Sequence, residues 1–176
     1  MTAPHLAAFG LILLALSGCA APNPRTFSGG RPRLDPMEYF SGTTRSWGVA
    51  EDRFGNVRKQ FTQKIVGHRR GDAIRLDQTF TFSDGKIERR VWNIRKVGPH
   101  RYEGVANDGR GTGESFGNAF RWRYTVAVPA GGKTMVDFDQ IMLLQPGRVL
   151  INRCTVRKFG IRVGGVSEFF RKDAGE

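Results

Sequence analysis

Beyond residue 42 the chain reads as short runs in which apolar and polar residues alternate, and no stretch there sustains a 3.6-residue apolar period. Phe120, Trp122, Tyr124, Val126 and Val128 share one face of such a run, and Arg121, Arg123, Thr125 and Ala127 share the other. The pattern predicts strands at about 44–53, 57–68, 73–83, 86–97, 100–107, 118–128, 133–145, 148–158 and 161–172. Turn chemistry separates them: Gly55-Asn56, Gly71-Asp72, Asp84-Gly85, Gly98-Pro99, Gly131-Gly132 and Pro146-Gly147. Ahead of them, Asp35-Pro36-Met37-Glu38 has an N-cap aspartate, a proline at the first helical position and a glutamate at the third, so a short helix ending by Gly42 is expected. Evenly spaced strands joined by tight hairpins form a meander, and closing it removes the exposed edges. The expected fold is all-β: an antiparallel up-and-down barrel of eight to ten strands with a short N-terminal helix, with a two-sheet sandwich as the alternative.

Pairing adjacent strands places particular side chains. Val136, Phe138, Gln140, Met142 and Leu144 fall on one face, opposite Asp137 and Asp139. Across the Gly131-Gly132 loop, Arg121 and Arg123 then approach Asp137 and Asp139 on the outer surface. With Pro146-Gly147 as a two-residue turn, Met142 faces Ile151 and Gln140 faces Arg153, which puts Arg153 inside the barrel. A buried guanidinium keeps its charge and needs a carboxylate, several acceptors or an anionic ligand. Glu88 and Asp77 are internal alternatives, and a one-residue register shift would return Arg153 to solvent. The same pairing turns Cys154 away from the lumen, beside Asp139. On 86–97, Trp92 and Ile94 alternate with Glu88 and Arg90, and burial favours Trp92 inward.

These faces define a candidate binding site. Trp47, Phe80, Trp92, Tyr102, Trp122, Tyr124 and Phe138 line the expected lumen, with Gln140 and Arg153 meeting a carboxylate or phosphate on the ligand. A barrel of this size can hold one small ligand.

The N-terminal segment points to export. Residues 6–16 form an uncharged apolar run, too short for a spanning helix and suited to a signal-peptide core. Leu16-Ser17-Gly18-Cys19 resembles the lipobox of bacterial lipoproteins, in which the cysteine receives a diacylglycerol after cleavage. The residues ahead of the run include His5 but no Lys or Arg, a departure from that pattern. Ala20, rather than Asp, follows the cysteine, and the resemblance then implies the periplasmic face of a Gram-negative outer membrane. The expected organisation is a signal peptide over 1–18, a lipid anchor and flexible tether over 19–34, and the barrel over 35–176. Residues 20–34 hold three prolines and two glycines, and Arg25, Arg31 and Arg33 are placed to meet anionic headgroups.

Composition narrows the remaining classes. The 176 residues suit one folded domain, and 28 Lys+Arg against 16 Asp+Glu give a formal charge of +12. Export excludes nucleic acid as a partner and makes an anionic lipid surface the natural one. Gly113-Glu114-Ser115-Phe116-Gly117 matches the G-x-S-x-G hydrolase pattern, but no histidine follows His100 and a strand comes next. Gly109-Arg110-Gly111-Thr112-Gly113 lacks the lysine and helix of a phosphate loop. His68, His100 and the two cysteines do not stand at metal-ligand spacing. No catalytic residue, metal or cofactor is expected, and the barrel is expected to be a monomer.

From Asp35 to Lys172 the chain resembles DUF3833, a family of bacterial lipoproteins. The stretches that carry the resemblance are Tyr39-Phe40-Ser41-Gly42, Arg90-Val91-Trp92-Asn93-Ile94, Arg121-Trp122-Arg123-Tyr124, Leu150-Ile151-Asn152-Arg153 and Lys158-Phe159-Gly160-Ile161. The resemblance implies a lipocalin-like barrel and transfers no catalytic residue. Three functions are in view. The first is a membrane-anchored carrier of a fatty acid or related lipid. The second is a structural or adaptor envelope lipoprotein with a filled core. The third is an isomerase- or cyclase-like enzyme using Arg153, Tyr124 or Glu88.

Overall fold

The computed structural model describes residues 22–129 and 133–173. The expected signal peptide, the lipobox-like segment ending at Cys19 and the expected Gly131-Gly132 turn lie outside the described residues. Ten antiparallel strands close into a lipocalin-like up-and-down barrel, each paired with its neighbours in sequence and the first with the last. They are β1 (Gly42–Asp52), β2 (Val57–Arg70), β3 (Ala73–Phe82), β4 (Ile87–Lys96), β5 (Arg101–Ala106), β6 (Gly109–Phe116), β7 (Ala119–Pro129), β8 (Lys133–Leu144), β9 (Val149–Lys158) and β10 (Ile161–Lys172).

One strand more than the alternation predicts is present. β6 is the glycine-rich segment, whose inner face is Gly111, Gly113 and Ser115. The glycines make room for rings. A methyl at Gly111 would lie 2.7 Å from the Trp122 indole, and one at Gly113 would lie 2.6 Å from the Phe120 ring. Small residues on β6 therefore let the bulky ones on β7 lie flat across them.

The helix α1 (Pro36–Tyr39) closes one end of the barrel, here termed the base. Asp35 Oδ1 accepts the Met37 N–H at 2.8 Å, and Pro36 opens the turn. Met37 and Phe40 are buried, and the Phe40 ring meets Phe170 edge-on at 5.9 Å. Gly67 of β2 sits directly under the Phe40 carbonyl, where a methyl would overlap the oxygen. Lys172, at the end of β10, donates from Nζ to the carbonyls of Tyr39 at 3.1 Å, Glu38 at 3.4 Å and Ser41. It serves as the cap that so short a helix cannot supply for itself.

Residues 22–34, expected as a flexible tether, instead pack on this base. Pro24–Phe27 form a 3-10 turn with Pro24 buried. Leu34 joins the core, its N–H bonds the Gly117 carbonyl at 2.8 Å, and its own carbonyl accepts from Ser115 Oγ at 2.8 Å. Arg25 lies over the Phe116 ring and 3.8 Å from Glu114. Ser115, the serine of the hydrolase-like pattern, is thereby a buried structural hydroxyl. The apolar contribution of Leu34 and Pro24, hidden among polar and glycine residues, is what holds the segment down.

The outer Arg–Asp ladder forms in part, with Arg121 paired to Asp139 and Arg123 making no ion pair among the described residues. Arg121 makes a two-pronged bond to Asp139, at 2.8 and 2.6 Å, and Thr125 bonds Asp137 at 2.6 Å.

The β8–β9 hairpin differs by one residue from the two-residue reading. Gly147 and Arg148 both take positive φ, at 76° and 62°, so the connection is Pro146-Gly147-Arg148. Gln140 consequently faces Cys154, and Arg153 faces Ile141. A slip of one residue turns every β9 side chain to the opposite face. Arg153 is exposed on the outside, while Asn152 and Cys154 are buried inside.

Candidate functional site

A cavity of about 420 Å³ runs through the barrel interior. Its floor is Pro36, Met37 and Phe40 of the base, and its far end is bounded by Lys59, Arg89 and Val163, which are exposed. The cavity thus opens at the end opposite α1, and its volume is within the usual range for a small-molecule site, roughly 300–1,000 Å³.

The two sides of the lumen differ in chemistry. Strands β4–β8 supply an aromatic wall. Trp92 meets Trp122 edge-on at 5.6 Å and Tyr124 at 5.5 Å, Tyr102 meets Phe120 at 5.5 Å, and Tyr124 stacks on Phe138 at 4.8 Å. Burial pushes the Tyr102 hydroxyl up to about 12 and the Tyr124 hydroxyl well above its ordinary value, so both phenols are neutral. Nearer the mouth, Phe61, Phe80 and Phe82 cluster with centroids 5.9 to 6.4 Å apart.

The opposite wall, from β1, β2, β8, β9 and β10, carries a buried polar patch of Ser46, Gln63, Gln140, Asn152 and Glu168. Ser46 Oγ lies 2.5 Å from Glu168 Oε1 and 3.2 Å from Gln63 Oε1. Asn152 Nδ2 donates to Gln140 Oε1 at 3.2 Å and reaches Glu168 Oε2 at 3.5 Å. No Lys or Arg among the described residues pairs with Glu168. Burial pushes its carboxyl up to about 7, against the opposing pull of the Ser46 and Asn152 hydrogen bonds. Proton counting agrees with a neutral acid. Ser46 has one hydrogen and two acceptors within reach; a protonated Glu168 donates to Ser46, which frees the Ser46 hydrogen for Gln63.

Of the nine residues expected in the lumen, Phe80, Trp92, Tyr102, Trp122, Tyr124, Phe138 and Gln140 line the cavity. Trp47 and Arg153 do not. Trp47 is 44% exposed and stacks under the Arg171 guanidinium at 5.5 Å on the outer surface. The inner positions of β1 go instead to the smaller Thr44 and Ser46. Cys154, expected outside, faces the lumen, and burial drives its thiol well above the usual range. Besides Arg89, exposed at the mouth, the guanidinium that reaches the cavity is the half-buried one of Arg90. It bonds Asp108 at 3.4 Å, and its buried Nε has no partner among the described residues. Arg90 shares its face with Trp92, and that parity was the signal for it. Glu168 was marked the same way, at alternate positions with Val166 and Phe170, but Phe169 and Phe170 in succession obscured which face was inward.

Other chemistry-bearing groups stay structural. His100 stacks on Phe116 at 4.2 Å with Nδ1 on the Ser115 carbonyl. No cluster of His, Cys, Asp or Glu among the described residues is arranged to hold a metal ion.

The sequence profile of a family described as a protein of unknown function, DUF3833, matches residues 13–172. Among solved structures the fold is similar to the S-type phycobiliprotein lyase CPES from Guillardia theta, with a TM-score of 0.60 and 10% sequence identity. That alignment covers 88% of this chain and 100% of the lyase. No curated protein matches the sequence significantly.

Proposed function

The chain belongs to the DUF3833 family, and from that premise and its hollow barrel we propose that it is a membrane-anchored binding protein for one small lipid-like ligand, a fatty acid or related molecule. The cavity carries this reading: about 420 Å³, open at one end, with an aromatic wall facing a small polar patch. An acyl chain lies against Trp92, Trp122 and Phe138, and the polar end of the ligand meets the Glu168 side. The likeness to a phycobiliprotein lyase supports the fold, and a barrel with room inside is compatible with a small guest. A filled-core adaptor finds no support in a lumen of this volume.

The anchor in this reading is a diacylglycerol on Cys19 at the periplasmic face of an outer membrane. Residues 24–34 reach the barrel at its base, so such an anchor would hold the closed end toward the bilayer and turn the mouth away. Arg95, Arg110 and Arg123 lie together on a concave outer flank and suit an anionic lipid surface. The enzyme reading keeps Tyr124 and Glu88 at the cavity wall but loses Arg153, and Glu88 is engaged by Lys86 at 2.8 Å.

Native mass spectrometry of protein purified without detergent tests the proposal. The expected result is one lipid-sized adduct per barrel, or one bound N-phenyl-1-naphthylamine where the adduct has been stripped. A barrel that carries no adduct and takes up no fluorophore overturns it.

A further inference from the structure

The polar patch has an unmet requirement. Asn152 is 1% exposed and lines the cavity, and its Oδ1 has no hydrogen-bond partner among the described residues. Its amide hydrogens are directed to Gln140 Oε1 and Glu168 Oε2. Glu168 Oε2 receives only that long 3.5 Å contact. Two buried acceptors are thus left short of a donor hydrogen, which is costly, although the side-chain amide nitrogens of Gln63 and Gln140 in the same patch are engaged by no hydrogen bond among the described residues.

Charge decides what can fill the gap. The groups packed about Glu168 are Ser46 of β1, Gln63 of β2, Gln140 of β8, and Asn152 and Cys154 of β9, with Tyr124 of β7 across the lumen. Cys154 and Tyr124 are both held neutral by burial. Of the cations that line the cavity, Arg90 is bonded to Asp108 on the aromatic side, and Lys59 and Arg89 are exposed at the mouth. An anion placed on the patch would meet amide and hydroxyl groups but no countercharge, and an unpaired buried charge is heavily penalised.

We infer that the Glu168–Asn152 patch recognises an uncharged head group that donates a hydrogen bond, a hydroxyl, amide or protonated carboxyl ending an otherwise apolar molecule. This rests on the lumen-binding reading above and selects within it: the ligand enters neutral at its polar end, and its donor hydrogen satisfies Asn152 Oδ1 or Glu168 Oε2.

Displacement of N-phenyl-1-naphthylamine from the full chain by decanol and by decanesulfonate tests this at about pH 6, where neither competitor titrates. Decanol is expected to compete at least about tenfold more strongly, the worth of one buried hydrogen bond. Asn152→Leu is expected to erase that advantage, both competitors being read against the fluorophore affinity of the variant itself. Equal competition, or a preference for the sulfonate, overturns the head-group assignment and leaves the lipid-binding proposal standing. A wild-type barrel that binds neither the fluorophore nor either competitor overturns both. Should Asn152→Leu fail to fold, the wild-type comparison of alcohol with sulfonate still decides.

Discussion

Ser46 Oγ stands 2.5 Å from Glu168 Oε1 in the interior of the barrel, and no cation among the described residues shares the contact. This pair ties the stability of the fold to pH. The carboxyl titrates near 4.5 in the unfolded chain and is pushed up to about 7 when folded, so between those values the folded state holds a proton that the unfolded state has released. The associated stability is complete below the lower value and is lost as pH rises through the upper one. Glu168→Gln keeps the hydrogen bonds and removes the titration. Urea unfolding from pH 5 to 8 should show the wild type losing stability relative to the variant, by roughly 3 kcal/mol in total.

The aromatic wall predicts a packing defect. Gly111 lies against both Trp122 and Tyr124, with a methyl brought to 2.7 Å from the first and 2.8 Å from the Cβ of the second. Gly111→Val forces these rings off their rotamers and should cost about 1–3 kcal/mol. Near-ultraviolet circular dichroism should weaken, because Trp122 loses its fixed contact with Trp92.

How much of this was legible depends on the strand. β7 and β8 alternate cleanly, and their faces and their Arg121–Asp139 pairing follow from period two alone. β6 escaped because glycine is a turn signal; its role as space for Trp122 exists only once β7 is beside it. The β8–β9 register escaped because Arg148 adopts a left-handed backbone that its residue type does not announce, and one extra turn residue exchanged Arg153 for Asn152. Trp47 shows the limit of ranking by burial: β1 spends its inner face on Thr44 and Ser46, which the Glu168 patch requires, and the indole goes outside.

Lys172 should govern the base. Its ammonium bonds the last carbonyls of α1, and burial and nearby Arg148 hold it below the ordinary lysine range. Lys172→Met leaves those carbonyls without a donor and should cost about 1–3 kcal/mol. Hydrogen exchange should accelerate at the Tyr39 and Phe40 amides before the rest of the barrel responds.

The proposed anchor has a direct chemical test. The full chain expressed in a Gram-negative host is expected to incorporate labelled palmitate and to partition with membranes, and Cys19→Ser is expected to do neither. Unlabelled wild-type protein would remove the anchor without touching the barrel.

Asn152 and Arg153 are consecutive residues on opposite sides of one wall, and substituting each in turn separates lumen chemistry from surface chemistry. Arg153 is exposed and faces Ile141 from outside, so Arg153→Ala removes a solvated charge and should change stability by no more than about 0.5 kcal/mol. Fluorophore affinity should be unchanged. Asn152 is buried between Gln140 and Glu168, so Asn152→Ala strips a donor from two acceptors inside the barrel. Its cost should be about 1–3 kcal/mol, with altered competition by decanol. Parallel urea unfolding and fluorophore titration of the two variants measures both effects. A ligand response at Arg153 as large as that at Asn152 would mean that the register carrying the polar patch into the lumen is not the one the protein uses.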